Sequence, residues 1–186
     1  MQVRPPDSPL SDGVVSLRPW TLDDLPAVVA TCSDAELQRW LPYLPSPYTE
    51  ADARDYVRST QIGWRDQRGG TFAVVDLDSG EVVGSIGMRV LDREQAVVEV
   101  GYWSAAATRR RGLTTRALRL IARWLFESVG AERVQLRADV LNTASRRVAE
   151  KAGFVLEGVL RSGGLNPREG RRIDYALYSL LPGELD

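Results

Sequence analysis

The sequence contains no histidine among its 186 residues. That removes the commonest general base near neutral pH and the commonest metal ligand together. Any catalysis must draw on carboxylates, hydroxyls, main-chain amides, bound water or a cofactor, and no metal is expected. Cysteine is almost as scarce. The single Cys32 excludes an intrachain disulfide and fits a reducing compartment. No apolar run approaches the ~18 residues that would span a bilayer. The opening "MQVRPPDSPLSDG" lacks the apolar stretch of a secretion signal. A membrane is therefore not an expected partner, and a cytoplasmic location is expected. A charge excess is missing too: 24 Lys and Arg against 25 Asp and Glu leave a net charge of −1. Without a global basic field, nucleic acid is not an expected partner either.

What is present suits one packed domain. Hydrophobic residues make up 44% and charged residues 26%. Residues 1–12, with three prolines among small polar residues, read as a flexible arm. Residues 13–182 read as a single domain without internal repeats. "VVSLRPW" is a first strand stopped by Pro19. Thr21, followed by Asp23 and Asp24, caps a first helix, and Thr49 opens a second that ends at Gly69-Gly70. "LPYLPSPY" (Leu41 to Tyr48) carries three prolines and is a loop. "TFAVVDL", "EVVGSIGMRVL" and "AVVEVGYW" form an antiparallel meander, joined by the turns "DSG" and "DREQ". A helix, the strand "RVQLRADV", a helix from about Asn142 to Ala152, and the strands "FVLEGVLRS" and "RIDYALYSL" complete the order. The expectation is an α/β domain whose mixed, mostly antiparallel sheet has about seven strands flanked by about four helices.

The segment "AAATRRRGLTTRALRLIARWLF" (Ala105 to Phe126) poses a problem of charge. Arg109, Arg110 and Arg111 sit before a helix whose dipole is already positive at that end. The apolar positions Leu113, Ala117, Leu120, Ile121, Trp124 and Leu125 share one helical face, which should pack on the sheet. Strand, glycine-containing loop and helix then offer free amides to a phosphate. Gly112 admits a close backbone approach, and Thr114 and Thr115 add hydroxyl donors. The plainer alternative is a basic surface turn that caps the helix and holds nothing.

"RRRGLT" resembles the Arg/Gln-x-x-Gly-x-Gly/Ala pyrophosphate loop of the GCN5-related N-acetyltransferases (GNAT). "VEVGYW", "NTASRRVAEKAGFVLEGVLR", "GRRIDYALYSLL" and "LRPW" are similar, in the same order, to segments of the RimJ/RimL-like branch, which acetylates ribosomal-protein N-termini. The resemblance spans roughly Val14 to Leu181. Thr114 departs from it, standing where glycine or alanine is usual.

The resemblance implies acetyl-CoA in a V-shaped gap between the fourth and fifth strands. Its pyrophosphate would lie on the loop Arg109–Thr115, at Gly112 and Leu113. Its pantetheine arm would run beside Val100, Gly101, Tyr102 and Trp103, where a backbone N–H would hold the thioester carbonyl. Asn142 caps its helix and, by resemblance, also reaches the cofactor arm. Ser145 matches a serine that protonates the leaving thiolate. The tyrosine that many relatives carry one turn later is replaced by Ala149, and "RSGGLN" has glycines where some relatives have a carboxylate.

The attacking amine must be neutral, so a proton acceptor is needed. Glu99, in an otherwise apolar strand, is the first candidate base, on the expectation that partial burial raises its pKa. The alternative is that it pairs with an arginine on a neighbouring strand. Trp40, Tyr43, Tyr48 and Trp64 are the candidates for an acceptor slot, or else they close the core under a loop. The expected activity is N-acyl transfer to a primary amine, either a protein N-terminus or a small molecule. Some relatives use larger acyl groups, and a homodimer is compatible with the family. An acyl-CoA-binding sensor is the alternative, and an RNA-associated protein using the arginine face is a third class, opposed by the net charge.

Overall fold

The three runs expected between Thr71 and Trp103 do fold as an antiparallel meander, within a sheet that continues beyond it. Residues 3–185 are described in the structure, a computed structural model. In chain order the elements are β1 (Leu10–Ser11), β2 (Val15–Pro19), α1 (Leu25–Cys32), α2 (Ala35–Trp40), α3 (Glu50–Arg65), β3 (Gly69–Asp76), β4 (Val82–Asp92) and β5 (Val97–Ser104). They continue with α4 (Leu113–Trp124), β6 (Arg133–Asp139), α5 (Thr143–Lys151), β7 (Val155–Asn166) and β8 (Arg171–Leu180). The sheet order is β1-β2-β3-β4-β5-β6-β8-β7. Every pairing is antiparallel except β5 with β6. The α/β expectation holds, with eight strands and five helices described rather than about seven and four.

The two additions have local causes. β1 falls inside the segment expected to be a flexible arm. It pairs Leu10 with Leu17 and Ser11 with Ser16, while Val3 is buried in the main core. Asp12 then reaches Arg116 of α4 at 2.7 Å. Tertiary packing holds this stretch against its own proline-rich composition. α2 is only six residues long, and Asp34 starts it by accepting from the Leu37 amide at 2.9 Å.

Strand alternation divides the core between the two faces of the sheet. Phe72 and Val74 belong to a cluster with Leu113, Ala117, Leu118, Ile121 and Leu125. Ala73, between them, belongs to a second cluster with Trp20, Leu25, Val28, Val57 and Tyr48. α4 presents the apolar face its spacing predicts, with Leu118 fully buried beside it and Leu120 only partly so.

At the start of α1, Arg18 grips Asp24 through two nitrogens, at 2.8 and 2.7 Å. Asp24 also accepts from the Thr21 amide and is 6% exposed. Burial pushes this carboxyl up, but Arg18 and Thr21 outweigh it, so it titrates below the usual carboxylate range. Its contribution is therefore present above the unfolded pKa and is lost as pH falls through the lower folded value. Asp24→Asn should cost about 1–3 kcal/mol at pH 7, because it leaves Arg18 without its charged partner. Urea unfolding at pH 7 and at pH 3 should show the deficit shrinking in acid; a constant deficit would refute the ion-pair account.

Candidate active site

β5 and β6 run parallel and pair only from Val97 to Glu99 on β5, against Arg133 to Gln135 on β6. β5 continues to Ser104 with β4 on its other side, while β6 continues to Asp139 against β8. Past Glu99 the two strands therefore part, and among the described residues the β6-facing edge of Val100–Ser104 has no strand partner. This is the gap expected between the fourth and fifth predicted strands.

The other functional direction is a face. Paired residues share a side of the sheet, so Glu99, Gly101 and Trp103 lie with Arg89, Gly87 and Ser85 across from them. These residues, with Thr71 of β3, Tyr56 of α3 and Leu41, line a cleft of about 380 Å³. Tyr56 Oη and Ser85 Oγ are 2.8 Å apart. A hollow of about 630 Å³ elsewhere, between Leu22–Ala30 and Glu50, has only Asp23 and Glu50 as charged lining.

Beyond β5 the chain turns into α4 through Arg110 (φ +67°) and Gly112 (φ +79°). Gly112 is the N-cap and brings no side chain, so the first turn of α4 has no side-chain cap among the described residues. A Cβ at Gly112 would meet nothing within 4 Å, so the approach to those amides is open. The arginines are largely spoken for. Arg109 binds Asp34 and Glu36, each at 2.5 Å, and Arg111 binds the buried Asp76 at 2.8 Å. Arg116 is held by Asp12. These carboxylates, all from the N-terminal half, neutralise the charge that crowds the positive helix end. The open main-chain amides and the exposed Arg110 remain to meet an anion. Thr114 and Thr115 follow in the first turn, half-buried.

Across the gap, Asn142 caps α5 by accepting from the Ser145 amide at 3.0 Å. Tyr102 Oη reaches over from β5. It donates to the Ser145 carbonyl at 2.9 Å and lies 3.1 Å from Ser145 Oγ. Burial raises the Tyr102 phenol to about 12 against the opposing bond from Ser145, so it stays protonated at neutral pH. The strand and helix walls of the gap thus touch through this pair.

The expectation that burial would raise the Glu99 pKa is corrected. Burial does push it up, but hydrogen bonds and charge from Arg137, with Gln135 and Arg89, outweigh that and hold it below the usual range. Oε1 accepts from Arg89 Nη2 at 2.8 Å and Arg137 Nη2 at 3.0 Å. Oε2 accepts from Arg137 Nε at 2.8 Å and Gln135 Nε2 at 3.4 Å. The pairing alternative named for Glu99 is what the structure shows.

The expected acceptor aromatics do not line the cleft. Trp64 is core, 5.0 Å from Phe72 and 6.2 Å from Trp124 between ring centres. Tyr48 is buried beside Cys32, whose thiol burial pushes up to about 11. Tyr43 is exposed and donates to the Leu165 carbonyl at 3.0 Å, fastening the proline loop to the β7–β8 hairpin. Trp40 lies under Arg39. The aromatics that do line the cleft are Tyr56, Tyr102 and Trp103. Tyr56, Thr71, Ser85 and Arg89 were missed. The available signal was the small or polar residue at every second position of β4, Ser85, Gly87 and Arg89, in a strand at the middle of the sheet.

A family described as "Acetyltransferase (GNAT) domain" matches residues 15–155. YdaF of Bacillus subtilis (strain 168) is 33% identical over 151 residues, covering 80% of this chain and 79% of its own. The ribosomal-protein-serine acetyltransferase of Escherichia coli (strain K12) is 26% identical over 125 residues, covering 67% and 69%. The solved structure of Mycobacterium smegmatis RimJ in complex with CoA-disulfide superposes with a TM-score of 0.83 at 25% identity, covering 96% of this chain and 88% of that one. With the sheet, the gap after Glu99 and the glycine-capped α4 in place, the match over most of the domain settles the lineage: the chain belongs to the acetyltransferase (GNAT) family.

Proposed function

We propose that the protein is an N-acyltransferase that moves an acetyl group from acetyl-CoA to a primary amine while both are bound. The observation that carries this is the position of β5. Between Val100 and Trp103 its free edge borders the gap and one of its faces floors the cleft. Two reactants would therefore meet at the same four residues, which is proximity catalysis in structural form.

The site fits acetyl-CoA. The first main-chain amides of α4, which Gly112 leaves without a side-chain cap, and the exposed Arg110 suit a diphosphate. The unpaired edge of Val100–Trp103 suits an extended amide-bearing arm, and Asn142 stands across the gap from it. When bound, acetyl-CoA supplies the activated acyl group as a thioester. β5 amides on the free edge are the donors available to an oxyanion. Ser145 Oγ is the proton donor for a departing thiolate. Tyr102 Oη, 3.1 Å from that hydroxyl, would hold it in place.

Glu99, already accepting four bonds, has no lone pair free for a proton. The amine therefore loses its proton to water. Log kcat/KM should therefore rise with pH and level at the pKa of whichever amine is supplied. The check is a set of acceptors whose pKa values span two units. An inflection fixed near pH 6–7 for all of them, and absent from Glu99→Gln, would restore Glu99 as the base. The activity itself is tested by thiol release from acetyl-CoA across N-terminal peptides, polyamines and aminoglycosides; no release with any amine would refute the transferase reading.

A further inference from the structure

The cleft faces its acceptor with the wrong sign for a simple amine. Its charged lining is Arg89 and Glu99, and Arg137 reaches Glu99 from β6. Two guanidinium groups against one carboxylate leave a local charge of +1, which repels a lone ammonium. The two arginines are not equivalent. Arg137 holds both oxygens of Glu99 and stacks over the Tyr175 ring at 5.5 Å, which fixes it. Arg89 holds Glu99 by one nitrogen and is 61% exposed, and Glu99 is its only ion-pair partner among the described residues. If Arg89 swings away, Glu99 keeps Arg137 and Gln135, and Oε1 gains a free acceptor site.

We infer that the acceptor is a small zwitterionic amine, one that carries a carboxylate or phosphate a few bonds from its nitrogen and exchanges it for Glu99 on Arg89. This rests on the transferase reading and narrows it. The anion takes the Arg89 guanidinium, which suits carboxylate and phosphate alike. The ammonium takes the vacated Oε1. Separating two groups that now touch at 2.8 Å asks for an anion and a nitrogen a few bonds apart, as in a β-amino acid or an aminoalkyl phosphate. The volume agrees, since about 380 Å³ walled by Tyr56, Trp103 and Leu41 lies at the small end for ligand sites. Neutralising the local +1 is also what lets an amine approach at all.

The test is kcat/KM for matched pairs in the thiol-release assay: β-alanine against its methyl ester, and O-phosphoethanolamine against ethanolamine. The anionic member should win by at least about tenfold, and the pair that wins says whether carboxylate or phosphate is read. In Arg89→Ala the ratio should collapse toward one, and Arg89→Lys should restore part of it. The ratio is measured within one protein, so a loss of folded enzyme cannot mimic the result. Equal rates in the wild type, a preference that survives Arg89→Ala, or faster turnover of a C-terminally amidated peptide without acidic residues would each overturn the inference and leave the transferase standing. No turnover with any amine would remove both.

Discussion

Replacing Gly101 with valine should leave the fold intact and stop turnover. Gly101 sits in the middle of β5, opposite Gly87 of β4, and the two bare positions form the floor of the cleft. They are glycine for different reasons. A Cβ at Gly87 would lie 2.9 Å from Thr71 Oγ1 and 3.2 Å from the Gly70 carbonyl oxygen, so a side chain there would have to displace its neighbours on β3. A Cβ at Gly101 would meet nothing within 4 Å, and its backbone is not in the left-handed region. Packing has no use for a glycine there. Glycine in a strand interior costs roughly 0.5–1 kcal/mol against other residues, and β-branched side chains suit strands well. Gly101→Val should therefore be as stable as the parent or slightly more so. Its two methyls would stand where an acceptor must pass to reach the free edge of β5. The expected loss in kcat/KM is at least about 100-fold, or roughly 2.7 kcal/mol in the barrier. Thermal unfolding and thiol release on the same samples decide it. A valine enzyme of ordinary kcat/KM would mean the acceptor does not use this cleft.

The contrast between those two glycines also marks what sequence patterns can reveal. Gly101 stands out in the sequence as a lone glycine in a valine-rich strand, which asks for an explanation. The period-two runs and capping residues placed seven strands and four helices, since both signals are local. β1 and α2 escaped because both are very short; the charges beside them, Asp12 and Asp34 with Glu36, are held by Arg116 and Arg109 far away in sequence. The same limit governed charge. From sequence, Arg109 and Arg111 looked available to a phosphate, whereas Asp34, Glu36 and Asp76 claim them across more than thirty residues. Glu99 was picked out as a lone carboxylate in an apolar strand, yet Arg89 and Arg137 set its ionisation, and strand register alone brings them to it. Aromatic content misled in the opposite way. Trp64 and Tyr48 carry large apolar surface and were drawn into the core, while the cleft took its walls from Tyr56 and Trp103.

With the arginines engaged elsewhere, the loop before α4 must hold an anion mainly by its amides. An isosteric pair of substitutions at Gly112 isolates that. The φ of +79° there is one that asparagine and aspartate tolerate better than other side-chain-bearing residues. Gly112→Asn and Gly112→Asp fill the same volume and differ by one charge. For the free protein, the negative charge should help, because it sits at the positive end of a helix beside Arg110. Gly112→Asp should accordingly unfold at the same temperature as Gly112→Asn or higher. For coenzyme A the order should reverse. At about 4 Å from a phosphate, an added carboxylate contributes several kcal/mol of repulsion before screening, of which roughly 1.4–2.7 kcal/mol should survive. Calorimetric titration with coenzyme A should then give a Kd for Gly112→Asp 10- to 100-fold weaker than for Gly112→Asn. Raising salt from about 0.05 M to about 0.5 M should narrow the gap, since the Debye length shrinks from about 14 Å to about 4 Å, comparable to the separation of the charges. A merely structural loop predicts the same sign for stability and binding, so opposite signs carry the assignment. Equal affinities in the two variants would place the diphosphate somewhere else.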